Sequence, residues 1–369
     1  MHLTTRRPRR SSAHALAVTA VTASLLLTAC GGGGGDSAAS GDAGAPAEAA
    51  PKNAEPIEGR PTPVENTTGE EVKISMVGFS NNPYWVSVQQ GVDYANSVLA
   101  AQDASAEWVV AGATIDVQTV NSAIQAAANQ DSQGVGFFIA GEGNCQTVED
   151  LAASGTALGA YNTLFPCMEE AGGVINYAQD QVAAGRVAAE EMIKATGGEP
   201  GSVGIIVSQF TAPGSEQRRK GFIEGLEGSN LTVVGEGVEA QDSASNTFSA
   251  AQNYLQSTDD LVGIYATAGG PFGAAQAVAA AGKQDTVKVI GYDITAENVE
   301  ALRDGSMYGV IGQDAFGQGY NVAIELYNSI VSGDEPAEVL QPAESPFVTA
   351  DNLDEHDPEK LPVGTLGAS

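Results

Sequence analysis

From Glu70 onward the apolar and polar positions fall into one repeated rhythm. Short runs rich in Val, Ile and Tyr alternate with longer Ala-rich stretches whose apolar residues recur every three to four positions. The short runs predict strands at 72–78, 107–111, 135–140, 157–161, 174–177, 202–207, 231–235, 261–266, 287–291 and 307–311. The longer stretches predict helices at 85–99, 122–130, 181–195, 216–226, 245–256, 272–281, 296–303 and 316–332. Strand–helix alternation implies parallel sheets closed by right-handed crossovers. Ten strands are too many for one doubly wound unit of this length. The expected class is therefore α/β, with two similar doubly wound parallel-sheet lobes and a ligand cleft between them.

In such lobes ligands sit outside the carboxyl ends of the strands, so the residues just after each strand carry the chemistry. In the first half these are Ser80-Asn81-Asn82-Pro83-Tyr84-Trp85, Gly141-Glu142-Gly143-Asn144-Cys145 and Asn162-Thr163-Leu164-Phe165. In the second they are Ser208-Gln209-Phe210, Ala268-Gly269-Gly270-Pro271-Phe272, Asp293 and Gln313-Asp314. Amides and carboxylates suit hydroxyl groups, and aromatic faces suit the C–H surface of a polyol. The only bases near this rim are Arg218, Arg219 and Lys220, which disfavours a phosphate or carboxylate ligand.

The N-terminal part has a different pattern. Arg6, Arg7, Arg9 and Arg10 precede an uncharged apolar run, Ala15 to Leu27. The run is short for a membrane span and has the length of an export-signal core. It ends Leu27-Thr28-Ala29-Cys30-Gly31, which resembles a bacterial lipobox. The resemblance implies a signal peptide at 1–29 and lipid attachment at Cys30. Residues 30–69 are rich in Gly, Ala, Pro and Glu without apolar periodicity, and predict a flexible tether. Composition adds a strong charge: 46 acidic against 16 basic residues, net −30. Four of the bases lie in the signal segment, so the remainder is more acidic still. Such a surface excludes nucleic acid as a partner and suits an exposed, soluble body. Cys145 and Cys167 are the only cysteines after Cys30. An exported chain meets an oxidising compartment, so the pair is expected to form a disulfide worth about 3 kcal/mol.

Three segments resemble the periplasmic sugar-binding proteins of the ribose-binding type. They are Val77-Gly78-Phe79-Ser80-Asn81-Asn82-Pro83-Tyr84-Trp85, then Val289-Ile290-Gly291-Tyr292-Asp293, then Gly309-Val310-Ile311-Gly312-Gln313-Asp314 with Gln318-Gly319-Tyr320. The likeness runs from about Glu70 to Asn352. It implies a hinge of three crossings, near Ala178-Gln179-Asp180, Gln313-Asp314 and Ala343-Glu344. It assigns 70–178 and 314–343 to an N-terminal lobe, and 179–313 and 344–369 to a C-terminal lobe. It implies ligand contacts from Asn82, Tyr84 and Trp85 of the first lobe, Asp293 of the second and Gln313 of the hinge. Asn162 stands where the family has an Asp-Arg pair. Glu216 stands where it has a second Arg, with Arg218 two residues on, and Ala268 where it has an Asn. A pocket that has lost two Arg and gained an acid is expected to favour a neutral or cationic ligand, such as an amino-polyol. Asp314 is expected to cap the last long helix, and helix capping competes with ligand binding as the role of Asp293.

No catalytic motif is present: no His-Glu-x-x-His, no Gly-x-Ser-x-Gly and no phosphate-binding Gly-rich loop with Lys. The three His are His2, His14 and His356, in the signal segment and the acidic tail. The expectation is a binding protein, not an enzyme, with no metal and no cofactor. It would be a monomeric, extracytoplasmic lipoprotein that delivers a sugar or polyol to an ABC permease. The alternative is a sensory binding protein that presents its ligand to a membrane sensor kinase or chemoreceptor.

Overall fold

A computed structural model of the chain describes residues 53–80, 83–112, 115–267 and 270–356. Cys30, the signal segment, Asn82 and Ala268 lie outside the described residues.

The first lobe is formed by β1 (Val72–Gly78), α1 (Pro83–Leu99), β2 (Ala104–Val110), α2 (Val117–Ala128), β3 (Gly134–Phe138), α3 (Cys145–Ala153), β4 (Ala157–Thr163), α4 (Pro166–Glu170) and β5 (Ile175–Gln179). The second contains α5 (Gln181–Ala195), β6 (Gly201–Val207), α6 (Pro213–Gly225), β7 (Leu231–Val233), β8 (Val238–Glu239), α7 (Ala244–Ser257), β9 (Leu261–Ala266), α8 (Phe272–Ala280), β10 (Lys288–Tyr292), α9 (Ala296–Arg303) and β11 (Gly309–Ile311). The chain then returns to the first lobe with α10 (Ala315–Ser332) and β12 (Leu340–Pro342), and ends in the second with β13 (Phe347–Val348).

Each lobe repeats one strand order. The first sheet runs β2-β1-β3-β4-β5-β12 and the second β7-β6-β9-β10-β11-β13, parallel except for β13. In both, the order reverses beside the lobe's first strand, and that switch point opens a crevice at the carboxyl ends. Strands β1 and β3 are almost wholly buried, as sheets covered on both faces require. Two apolar clusters cover opposite faces of the second sheet, one around Val289 and Val310, the other around Ile290 and Ile311.

Local signals set the helix starts. Asp116, Asp180, Ser243 and Thr295 each accept a backbone N–H in the first turn of α2, α5, α7 and α9. Pro213 opens α6, where its missing N–H costs nothing. The predicted start at 216 falls late because the apolar pattern begins after the capping turn. Glycines set the helix pairings. A Cβ on Gly91 would collide with the Phe316 carbonyl, and one on Gly319 with that of Val88, so α1 and α10 cross backbone to backbone. Gly185 and Gly221 do the same for α5 and α6.

Three segments pass between the lobes, and they are bonded together. Ala343 N–H donates to Ala178 O at 2.8 Å, and Gly312 N–H to Pro346 O at 2.9 Å. The Gln179 amide donates to Gly312 O at 2.9 Å and to the Ser345 hydroxyl at 3.0 Å. Cys145 and Cys167 are joined, with 5.7 Å between their Cα atoms. The bond ties the starts of α3 and α4 together.

The tether expected up to residue 69 is corrected over its last part. Residues 54–66 lie along the first lobe, held by side chains of α1 and α10. Ala54 N–H donates to Ser97, Val64 N–H to Asn328, and Arg60 is buried against Asp314. Low apolar content hid this segment: only Ala54, Ile57 and Val64 pack on the apolar core, and polar side chains fix the rest.

Candidate functional site

A cavity of about 310 Å³ opens between the lobes at the carboxyl ends of both sheets. Its second-lobe wall is built around Arg218, which rises from the buried face of α6 together with Ser215, one helical turn earlier. The guanidinium lies over the Tyr292 ring, 3.7 Å from its centroid. It donates to Gln181 Oε1, to Thr267 O at 2.8 Å, and to Gln179 Oε1 and Gln313 Oε1, both at 3.0 Å. Four neutral acceptors therefore fix a buried cation without cancelling its charge.

Asp293 follows β10 and Gln313 follows β11. The Gln313 amide donates to Asp293 Oδ1 at 2.5 Å. Burial holds the Asp293 carboxyl above the usual carboxylate range, against the opposing pull of Arg218 and the Gln313 hydrogen bond. Asp242 also lines the cavity; burial raises its carboxyl too, opposed by a hydrogen bond from Ser208 and by Arg218. Asp293 does not cap α9, because Thr295 fills that role by accepting from Asn298 N–H.

The first-lobe wall is aromatic and amide. Trp85 packs on Phe138 with centroids 5.1 Å apart and meets Tyr84 edge-on at 4.9 Å. The Tyr84 hydroxyl donates to Gln318 Oε1 at 2.6 Å. Asn162 sits at the end of β4 with φ +76°. Its N–H donates to Gln318 Oε1 at 2.7 Å, and its carbonyl accepts from Gln181 Nε2 at 2.7 Å. Gln318 also donates to Gln313 O at 2.7 Å. A belt of buried glutamines thus links both walls through the hinge.

Among the residues singled out in the sequence, the structure brings Tyr84, Trp85, Asn162, Asp293 and Gln313 to this cavity. Glu216 is elsewhere: it pairs with Arg219 at 2.6 Å on the outer side of α6. The expectation of a lost arginine and a gained acid is thereby corrected, because Arg218, two residues on, occupies the cavity instead. The amino-polyol expectation drawn from Glu216 loses its basis. Asp314 caps α10 by accepting from Gly317 N–H at 3.0 Å. The sequence reading missed Asp242, Gln181 and Phe138, which also line the cavity, whereas Ser208, at a predicted strand end, does line it. Gln181 carries a legible signal, since it stands beside a predicted hinge crossing at the start of a helix.

Rigid donors and acceptors face aromatic carbon across the cavity. The arrangement can grip hydroxyls and stack on a C–H face, and none of the cavity residues is a His or Cys. Among the described residues no cluster of His, Cys, Asp and Glu could hold a metal ion. No helix among them is long and apolar enough to cross a membrane.

Residues 72–335 match the periplasmic binding protein domain family. The D-allose-binding periplasmic protein of Escherichia coli (strain K12) is 25% identical over 240 residues, covering 63% of this chain and 76% of that protein. Among solved structures, a carbohydrate transporter solute-binding protein from Agrobacterium radiobacter in complex with D-arabinose superposes with a TM-score of 0.68 at 24% identity. It covers 79% of this chain and 98% of that one. A solute-binding protein from Burkholderia graminis, also with D-arabinose, superposes at 0.71 and 19% identity, covering 79% and 99%. At these identities the superpositions show the fold.

Proposed function

The chain belongs to the periplasmic binding protein domain family, and from that membership we propose that it captures a neutral sugar or polyol outside the cytoplasm for an ABC importer. Its relatives are solute-binding proteins, and it is not an enzyme. The observation that carries the ligand class is the pairing of walls across one cavity. Tyr84, Trp85 and Asn162 face Asp293, Gln313 and Arg218. A ring of hydroxyls would accept from Arg218, donate to Asp293 and lay its C–H face on Trp85. Bridging both lobes, it would stabilise the closed arrangement by contacts that an open one cannot make. The sugars in the names of the relatives support this class. We further propose that the chain is held at the membrane by lipid on Cys30, and that it hands its ligand to a permease as a monomer.

The test is a thermal-shift panel of pentoses, hexoses, polyols and sugar acids. A ligand at 100 times its dissociation constant stabilises by about 2.7 kcal/mol. We expect a shift with at least one neutral sugar, and its loss in Asp293→Ala. No shift with any sugar, or a shift confined to sugar acids, would defeat the ligand assignment.

A further inference from the structure

The segment before the family domain makes a detour to the hinge. It begins beside the last turn of α1, where Ala54 N–H donates to Ser97 at 3.1 Å. It climbs past Tyr320, whose hydroxyl accepts from Ile57 N–H. It turns at Gly59, with φ +82°, where Arg60 N–H donates back to Ile57 O. It then descends: Asn328 bonds Thr62 O at 3.1 Å and Val64 N–H at 3.0 Å, and Asn66 N–H reaches Gln102 at 3.1 Å. What the tip of this strap delivers is Arg60. Its guanidinium grips Asp314 in a two-pronged contact, with both bonds at 2.8 Å and both side chains 1% exposed.

Asp314 is the pivot of the second crossing. It has φ +47°, caps α10 through Gly317 N–H, and accepts from the Tyr177 hydroxyl at 2.9 Å. Tyr177 lies on β5, which leads into the first crossing. Gln313, the residue before Asp314, holds Asp293 and Arg218 in the cavity. An arginine with two parallel donors fixes a carboxylate in direction as well as place, and a buried ion pair can serve to specify one geometry.

We propose that Arg60 is a positioning residue for the binding site. By pinning Asp314 and, through it, Tyr177, it locks the first-lobe ends of two crossings. It thereby sets the direction in which Gln313 points into the cleft. Bending between the lobes is confined to the far side of Asp314. For its effect on affinity, the inference rests on the sugar-binding reading; for the hinge itself it does not.

The test therefore starts with the whole chain free of ligand, by amide hydrogen exchange. Arg60→Ala is expected to speed exchange at residues 312–318 at least tenfold while β1 and β3 keep their protection. Arg60→Lys, which keeps the charge and loses the fork, should fall between, and it supplies the comparison if the alanine variant does not fold. Unchanged exchange at 312–318 would overturn the proposal. So would a uniform rise across the first lobe, which is what a merely structural contact would give. Titration with D-allose, D-arabinose and D-fucose then reads the site. Arg60→Ala should weaken the binding of whichever sugar wild type takes by roughly tenfold, within the usual range of coupling between sites; unaltered affinity would overturn the positioning role. Failure of wild type to bind any sugar would sink the ligand assignment and leave the exchange result to decide Arg60.

Discussion

Asp293, Asn162, Asp314 and Asp242 all have backbones in the left-handed region, with φ of +74°, +76°, +47° and +54°. Asx residues tolerate this conformation better than most, yet each still costs energy, and such residues gather where function over-determines the geometry. The strand-end Asn and Asp positions legible in the sequence are thus where the chain turns abruptly into the cleft. Asp293 gives a pH prediction. Its carboxyl titrates above the usual range because it is buried. In the ligand-free chain the folded state therefore holds this proton more tightly than the unfolded state. This group's contribution to stability then falls as pH rises from the unfolded pKa through the raised one. Ligand hydroxyls donating to the carboxylate favour its charged form, so binding should release a proton. Affinity should thus increase with pH across that window and flatten above it. Calorimetric titration at several pH values checks this, and Asp293→Asn should lose both the slope and most of the affinity.

Elements of seven residues or more were mostly legible, because burial on one or two faces imposes a period. Strands β8, β12 and β13 and helix α4, two to five residues long, were not, and neither was the nine-residue α3. Glu216 shows the limit of alignment within an element. Only a fixed helix start at Pro213 places Ser215 and Arg218 inward and turns Glu216 outward toward Arg219. The glycine pairs between helices carry the prediction at this scale. Gly91→Val has no room against the Phe316 carbonyl, so α1 and α10 must separate. The expected loss is about 2–3 kcal/mol, as for overpacked cores, read as a melting temperature roughly 5–10 °C lower. Gly155→Val, on a surface turn with nothing within 4 Å, should cost less, through its backbone conformation alone. Equal losses would show that the helix crossing is not the tight contact described.

On the scale of the molecule, the two sheets have the same strand order, and the shared cavity lies where both orders reverse. The strong net negative charge of the chain is met in the cavity by a single buried cation, Arg218, beside Asp293 and Asp242. The proposed attachment to the membrane belongs to the scale of the whole chain and rests on the lipobox resemblance. In cells of a bacterial host, Cys30→Ser should move the protein from the membrane fraction to the soluble extracytoplasmic fraction. Wild type found wholly in the soluble fraction would refute the anchor.

The sequence by itself determined the α/β class, the places of ten of the strands, the strand ends that line the cavity and the cysteine pair, because periodicity and strand-end chemistry are local. It did not determine which α6 side chain enters the cavity, that residues 54–66 fold back on α1 and α10, or that Arg60 meets Asp314 across 254 positions. Those facts depend on contacts between segments far apart in the chain. Polar side chains and a few scattered apolar ones make these contacts, and they leave no periodic trace in the sequence.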